Sequence, residues 1–578
     1  MAQANAIQNN VSVALTGAGG AGVVTAGQIL LEAAAVARLY GIMARSSGPQ
    51  IRGGESAAFV RLGPKTVNNL GNTFDIHVAF DWLNVERFSA EIPLNSSSVV
   101  LCDPKAGDVP AVISDTGARI IEIPFKELTK EVPGGRVNMV GLGALATLID
   151  LPEGTTAQTL EKVLGRKGEE ALASSEAAVA VGRAAAQDIG ALFSFPESEG
   201  GEGERWSIVG NAAAGVGEIR GGVRFVAAYP ITPATEVLEW LAPNLEEIGG
   251  SLAQAEDELA SINMAIGGSF GGVPSLTATS GPGLALMMES IGLAVAAEIP
   301  VVIVDVMRGG PSTGIPTKSE QSDLNIAVYG LHGDAPHVVT AANSVADCLF
   351  TTQWTVHLAE AMQTPAIMLS DQYLGQTRTI VDRQEDAGFT SERLTFAAND
   401  DGPYRRYTVT ESGVSPMSAP GMPGGEYVAD GLEHNPKGTP SSQAEDHFAQ
   451  LDKRQRKIEG FDYGDHWAEL EGEGDIAVVT WGSSTGPVRE AIARARADGM
   501  NVRMISLRLL APVLTDKFAA AIAGVERVLV VEQSHSRQFY HYLRAHHDLP
   551  GDIKVFSKPG PLPIRPNHIY DHLKSWSE

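Results

Sequence analysis

The chain has 578 residues, 44% of them hydrophobic, and a formal charge of −26. That is core material for about three to four domains of about 150 residues, and it excludes a disordered or collagen-like chain. The acidic balance argues against nucleic acid and anionic membrane as main partners, since both need a basic surface. Two cysteines, Cys102 and Cys348, are too few for a disulfide framework, a four-thiolate iron–sulfur cluster or an all-cysteine zinc site; no metal-ligating residue is singled out on this chain.

The opening MAQANAIQNN is polar, without a basic n-region or a long apolar h-region, and does not read as a signal peptide. With cysteine this sparse, a cytoplasmic location is expected. The strand VSVALTG (11–17) comes first, then a glycine turn and a helix from Val23 to Leu39. Further strands are predicted at SAAFVRL, DIHVAF, SVVLCD and RIIEIP, with an alanine-rich helix over Ala171–Phe193. Alternating short strands and helices predict a parallel α/β sheet for this first domain, 1–195. SFPESEGGEGERWS (194–207) reads as a linker.

A second α/β domain is expected over 205–395, with strands at 223–229, 275–280, 300–307 and 365–371. Their nearly continuous apolar runs imply a sheet covered on both faces. The most apolar stretch, Gly292 to Met307, is interrupted by Glu298 and Asp305. It reads as a helix end and a buried strand, not a membrane span. Residues 396–470 hold PMSAPGMPGG and HNPKGTP and read as an extended crossover, with KRQRK (453–457) as a solvated helix face. A third unit, 471–578, alternates the strands IAVVTWGS, NVRMISLRLL and RVLVVEQS with the helices VREAIARARADG and TDKFAAAIAGV. The fold class is therefore α/β, with three doubly wound, mostly parallel units.

Gly17-Ala18-Gly19-Gly20-Ala21-Gly22 fits G-x-G-x-x-G between a strand and a helix. Such a turn suits a phosphate at a helix N-terminus, and a purely structural glycine turn has the same pattern. No acidic residue lies between Ala33 and Gly54, so the ribose-binding acid of an NAD site is missing, although Arg45 and Ser46 leave a 2′-phosphate open. Arg52 in SGPQIRGG either faces an anion or sits in a surface turn. Tyr229-Pro230-Ile231-Thr232-Pro233 ends a strand and opens a helix. Pro233 fits the first helical position and Thr232 the N-cap, yet this is also the strand edge where parallel sheets bind ligands. Glu256-Asp257-Glu258 precedes an apolar helix. The three acids either favour its dipole or send one carboxyl into a buried cleft. Thr279-Ser280-Gly281-Pro282-Gly283 is a further strand-to-helix turn, open to a ligand or merely structural. Arg308, at the end of the most apolar strand, either captures a carboxylate or pairs with Glu320 or Asp323.

Taken in order, GAGGAG with SGPQIRGGE, then YPITPAT, the acid-led helix, SGPG, RGGPSTGIPT, and WGSSTGPVREA through VLVVEQS resemble the 2-oxoacid:ferredoxin oxidoreductases. More closely they resemble a fused γ–α chain of a 2-oxoglutarate:ferredoxin oxidoreductase, over nearly the whole length. The resemblance implies a γ domain over 1–195, a thiamine-pyrimidine-binding domain over 205–395 and a transketolase-C-terminal-like domain over 471–578. It implies thiamine diphosphate chemistry, with Glu258 (Glu256 as fallback) bonded to N1′ of the aminopyrimidine. Thr232 then binds the substrate carboxylate with Arg308 as charged partner, and Thr317 senses the far end of the oxoacid. Tyr229 joins the substrate site, while Pro230, Ile231, Ser280 and Gly281 join the cofactor site. Gly19, Gly20, Gly22 and Arg52 take an anion-facing role toward coenzyme A.

No Gly-Asp-Gly segment occurs, so the usual lead-in to the Mg2+ and diphosphate site of thiamine enzymes is missing. The implied partner is a β subunit carrying that site, Mg2+ and a [4Fe–4S] cluster in an (αβ)2 assembly, with ferredoxin as acceptor. The implied reaction is 2-oxoacid plus coenzyme A plus oxidised ferredoxin to acyl-CoA, CO2 and reduced ferredoxin. Rival readings are the same chemistry on pyruvate, branched-chain oxoacids or indolepyruvate, a non-catalytic nucleotide-binding subunit, and an NAD(P) dehydrogenase. Turnover with a panel of oxoacids separates the first. Retained activity in Glu258→Gln marks the second, and nicotinamide binding by the isolated chain the third.

Overall fold

The computed structural model describes residues 6–7, 9–18, 20–47, 56–83, 85–200, 203–390, 392–397 and 403–576. The chain divides into two compact units, one of residues 1–208, 377–384 and 565–567, the other of 209–376, 385–564 and 568–578.

In the first unit an eight-stranded sheet runs in the order Arg119–Glu122, Val99–Cys102, Ile76–Ala79, Val11–Gly17, Ser56–Gly63, Tyr40–Ser47, Arg378–Asp382, Arg205–Val209. Its first four strands are parallel, as expected. Ser56–Gly63, Tyr40–Ser47 and Arg378–Asp382 pair antiparallel, which the strand–helix alternation does not anticipate. For Tyr40–Ser47 and Ser56–Gly63 the reason is connection length: a parallel crossover takes about a dozen residues or more, and only eight separate Ser47 from Ser56. The helices Val23–Val36, Val137–Leu148, Glu153–Leu164 and Glu169–Ala186 contribute to the core of this unit, where Leu15, Leu30, Leu142 and Leu145 are fully buried.

The second unit holds two sheets. In the larger, the strands Ser251–Gln254, Phe225–Ala228, Ser275–Thr279, Val301–Met307, Pro365–Asp371 and Val338–Ala341 are parallel neighbours in that order. Val301–Met307 and Pro365–Asp371 are buried at every position, as a sheet covered on both faces requires. A seventh strand, Leu509–Ala511, joins its edge antiparallel. The smaller sheet runs Ala468–Glu471, Val502–Leu507, Ile476–Trp481, Arg527–Glu532, Asp552–Ser557, antiparallel only at its first pair.

The crossover is not unstructured throughout. It contains the helix Ala444–Glu459, with Glu445 and Asp446 in its first turn and Arg456 and Lys457 in its last. KRQRK is also not simply a solvated face. Gln455 and Arg456 are exposed, but Lys453, Arg454 and Lys457 are buried. The two lysines turn inward because Glu298 waits there: its Oε1 lies 2.6 Å from Lys453 Nζ and its Oε2 2.8 Å from Lys457 Nζ. Among the described residues, no helix is long and apolar enough to cross a membrane.

Candidate active site

The C-terminal edge of the larger sheet in the second unit gathers the residues singled out in the sequence. Tyr229 to Thr232 follow strand Phe225–Ala228, and Glu258 follows Ser251–Gln254. Ser280 and Gly281 follow Ser275–Thr279, and Arg308 follows Val301–Met307. Adjacent parallel strands end side by side, so turns far apart in sequence open onto one crevice.

The acid cluster is resolved by helix geometry. Asp257 is the N-cap of helix Glu258–Phe270, and its Oδ1 accepts the Ala260 N–H at 2.7 Å. Glu258 then occupies the first helical position and turns inward, only 7% exposed, whereas Glu256 and Asp257 remain at the surface. The Glu258 carboxyl accepts no hydrogen bond from the described residues. It lies over the Ser280–Gly283 turn, where a Cβ on Gly283 would stand 2.7 Å from Glu258 Cγ and 2.9 Å from Oε1. A Cβ on Gly281 would stand 2.6 Å from Asp323 Oδ2. The two glycines of this turn are thus the space through which two carboxyls approach.

The Tyr-Pro-Ile-Thr-Pro turn differs from the capping expectation. The helix begins at Thr235 with Ala234 as N-cap, so Thr232 is not the cap and Pro233 not the first helical residue. Thr232–Pro233 is a cis peptide. Its carbonyls are held instead: Arg308 Nη1 donates to the Thr232 oxygen, and Asn211 Nδ2 to that of Pro233 at 2.9 Å. Tyr229 is 39% exposed, with Pro230, Ile231 and Thr232 half-buried beside it.

Arg308 is buried, and its Nε has no partner among the described residues. Burial opposes its charge, while Asp323, Asp305 and Glu258 favour it. Glu320 does not pair with it: its oxygens accept the N–H groups of Gly310 at 3.3 Å and Gly560 at 3.1 Å. The loop beyond is closed at its base, with Ile315 N–H bonded to Gly309 O at 2.7 Å and Gly309 N–H to Lys318 O at 3.0 Å. Thr317 is half-buried in that loop and is not brought against Arg308 or Thr232 by any side-chain hydrogen bond.

Asp305 was visible in the sequence only as the lone acid in an apolar strand. Here it is fully buried, together with the unpaired hydroxyl of Ser280. Buried polar groups left unpaired cost about 1–3 kcal/mol each. An unbonded buried group is therefore the exception to explain, and Glu258, Ser280 Oγ and Arg308 Nε present a polar ring ligand with donors and acceptors that it would satisfy. On that ground the edge fits the aminopyrimidine of a thiamine cofactor.

In the first unit, Gly20 is open, with nothing within 4 Å of a Cβ built on it. Gly22 is the left-handed N-cap of helix Val23–Val36, packed under Asn138, whose Nδ2 donates to its carbonyl at 2.9 Å. The Ala18 N–H is already taken by Asp81 Oδ2 at 2.8 Å, so the start of the loop faces a carboxyl. Gly19 and Arg52 lie outside the described residues.

Three family models match this chain. Residues 216–453 match "Pyruvate flavodoxin/ferredoxin oxidoreductase, thiamine diP-bdg", 12–185 match "Pyruvate ferredoxin/flavodoxin oxidoreductase", and 474–560 match "Pyruvate:ferredoxin oxidoreductase core domain II". The α subunit of 2-oxoacid:ferredoxin oxidoreductase 2 from Aeropyrum pernix is 33% identical over 487 residues, 77% of this chain and 74% of that one. The 2-oxoglutarate synthase subunit KorA of Methanothermobacter marburgensis is 33% identical over 379 residues, 64% of this chain and 98% of its own. Among solved structures, the 2-oxoglutarate:ferredoxin oxidoreductase of Magnetococcus marinus, with 2-oxoglutarate, coenzyme A and succinyl-CoA bound, superposes with a TM-score of 0.91 at 36% identity, covering 99% of this chain and 100% of that one. The ordered motifs, the sheet-edge site and these likenesses agree: the chain belongs to the 2-oxoacid:ferredoxin oxidoreductases, as an α-type subunit with a thiamine diphosphate-binding domain.

Proposed function

We propose that this subunit serves the coenzyme A-dependent oxidative decarboxylation of 2-oxoglutarate to succinyl-CoA and CO2, with ferredoxin as acceptor, in either direction. The observation that carries this reading is the convergence of Glu258, Arg308 and the Thr232 turn at one sheet edge. The choice of oxoacid is supported by the names of the Methanothermobacter and Magnetococcus relatives. Thiamine diphosphate, when bound, supplies the electron sink for decarboxylation.

Glu258 is assigned to N1′ of the aminopyrimidine, where a buried carboxyl exchanges one proton with the ring. Pro230, Ile231, Ser280 and Gly281 hold that ring. Arg308, with Thr232 and Tyr229, takes the substrate's 1-carboxylate, since a guanidinium with a free Nε retains a fork for it. Thr317 is assigned to the distal end of the oxoacid. Gly20 and Gly22, with Gly19 and Arg52, are assigned to coenzyme A through the N–H groups at the start of helix Val23–Val36.

The diphosphate, Mg2+ and the [4Fe–4S] cluster are assigned to a β chain in an (αβ)2 assembly in the cytoplasm. Leu259, Met264 and Leu286 support a partner. They are apolar and 49%, 40% and 52% exposed on the helices that begin at Glu258 and Gly281.

Glu258→Gln in the complex is expected to lower kcat by roughly 10²-fold or more while the fold is kept, because a placed proton-transfer group contributes about 10²–10⁴. Undiminished turnover in a folded variant would remove the assignment. A second reading, the same chemistry on pyruvate, is favoured by the pyruvate descriptions of the three family models. A preference for pyruvate of about tenfold or more in kcat/KM, roughly 1.4 kcal/mol, would establish it over 2-oxoglutarate.

A further inference from the structure

Asp305 sits three residues before Arg308 on strand Val301–Met307, fully buried. Neither of its oxygens, nor Oδ2 of Asp323, is satisfied by an ordinary donor among the described residues. What Asp305 meets is Asp323 itself, carboxyl to carboxyl. Two ionised carboxylates hold no donor, so that contact is a hydrogen bond only while a proton lies between them. Asp323 in turn presses on Gly281, with oxygens 2.6 and 2.7 Å from where a Cβ would be. Its neighbour Gln321 is fixed by bonds to Trp481 O at 2.9 Å, Ser484 Oγ at 2.9 Å and the Gln533 N–H at 2.7 Å.

The charged groups facing the pair are few. Arg308 attracts both acids, Glu320 repels Asp323, and Glu258 acts on Arg308. On the flanking strands, the residues in register with Asp305 are Thr279 and Leu369, both uncharged. Asp371, further along, accepts the Leu374 N–H at 2.9 Å, and burial holds it above the ordinary carboxylate range.

We propose that Asp305 and Asp323 are a proton-sharing pair that sets the charge a substrate carboxylate meets at Arg308. With one proton the pair neutralises the guanidinium, and with two it releases it, so the oxoacid binds together with one proton taken from solvent. This rests on the reading of Arg308 as the oxoacid's charged partner. Burial and the facing carboxyl push Asp305 well above the ordinary carboxylate range, while burial and the Glu320 charge push Asp323 up to about 7, so the second proton is exchanged near neutral pH. The sign follows from linkage: binding is strongest below that titration and weakens as pH rises through it. Both acids are positioning residues, acting through Arg308.

The test uses the holoenzyme with its partner chain, 2-oxoglutarate and pyruvate as probes, and saturating coenzyme A and acceptor. KM for the preferred oxoacid is expected to rise by up to about tenfold per pH unit above neutrality, with a smaller change in kcat. Asp323→Asn and Asp305→Asn should flatten that slope and leave KM low. A slope that persists in both overturns the proposal, as does a flat KM in the unsubstituted enzyme. Independently of turnover, the infrared band of a protonated carboxyl in the full chain should titrate near neutral pH and be lost in either variant. Its absence overturns the pair whatever the kinetics. Arg308→Ala should raise KM at every pH. An unchanged KM there overturns the substrate-site reading itself, and the charge-setting role falls with it.

Discussion

Glu218 and Glu258 show two ways to bury a carboxyl. Glu218, in helix Gly210–Gly221, is fully buried and neither oxygen has a partner among the described residues. Burial alone pushes it well above its ordinary value of 4.5, so it is neutral in the fold. Its folded value exceeds its unfolded one, so its contribution to stability is complete below about pH 4.5 and is lost as pH rises above it. Glu218→Gln should therefore raise the thermal midpoint at neutral pH and leave it unchanged near the lower end of that range. A thermal-shift series over pH decides, and a lower midpoint at neutral pH would show that the carboxyl has a partner. Glu258 instead lies over the Ser280–Gly283 turn at the sheet edge. The acid cluster was legible as a helix start. Which acid turns inward was settled by Asp257 becoming the cap, since the next side chain then faces the sheet edge. Asp305 left a trace, one acid in an otherwise apolar strand, but its partner Asp323 is eighteen positions away and no local pattern joins them.

At the scale of elements, short-range signals read well and long-range pairing did not. The apolar strands at 300–307 and 365–371 stood out because both faces are covered. Ser251–Gln254, Val338–Ala341 and Tyr40–Ser47 were missed. The helix Ala444–Glu459 shows why charge runs mislead. Lys453 and Lys457, one turn apart, share the face that meets Glu298, and Arg406 Nη2 donates to the Glu298 carbonyl at 2.7 Å. Three cations around one carboxylate hold Glu298 far below the ordinary range, while burial lowers Lys453 to about 8. Removing one partner of a buried ion pair costs about 3–5 kcal/mol. Glu298→Gln should lower stability by that order and open the 403–443 segment to limited proteolysis. The Glu298 contribution is present above its unfolded value near 4.5 and is lost as pH falls. Equal protease resistance in the variant would show that the crossover is held by other contacts.

At the scale of the molecule, the third α/β unit does more than follow the second. Leu509–Ala511 completes the larger sheet, and Arg508 beside it bonds Asp347 Oδ1 at 2.9 Å and Glu469 Oε1 at 3.0 Å. Gln321 ties the segment after Arg308 to Trp481, Ser484 and Gln533. Gln321→Leu leaves those groups buried and unpaired, at roughly 1–3 kcal/mol each. The expected outcome is a lower thermal midpoint together with a raised KM for the oxoacid, because Asp323 and the Arg308 loop lose their anchor. A loss of stability with KM unchanged would confine Gln321 to the fold. The charge of −26 is explained by solubility.

By itself the sequence determined the three α/β runs, the glycine turns between strands and helices, the absence of enough thiolates for a cluster, and the order of motifs that marks the family. These are local or compositional properties, set by periodicity, by turn chemistry and by counting. Tertiary structure alone decided the antiparallel half of the first sheet, the edge strand lent by the C-terminal segment, the lysines turned toward Glu298 and the meeting of Asp305 with Asp323. Each depends on what faces a residue across a sheet edge or a helix face. Burial and the nearest charge decide there whether an acid is ionised, paired or left holding a proton.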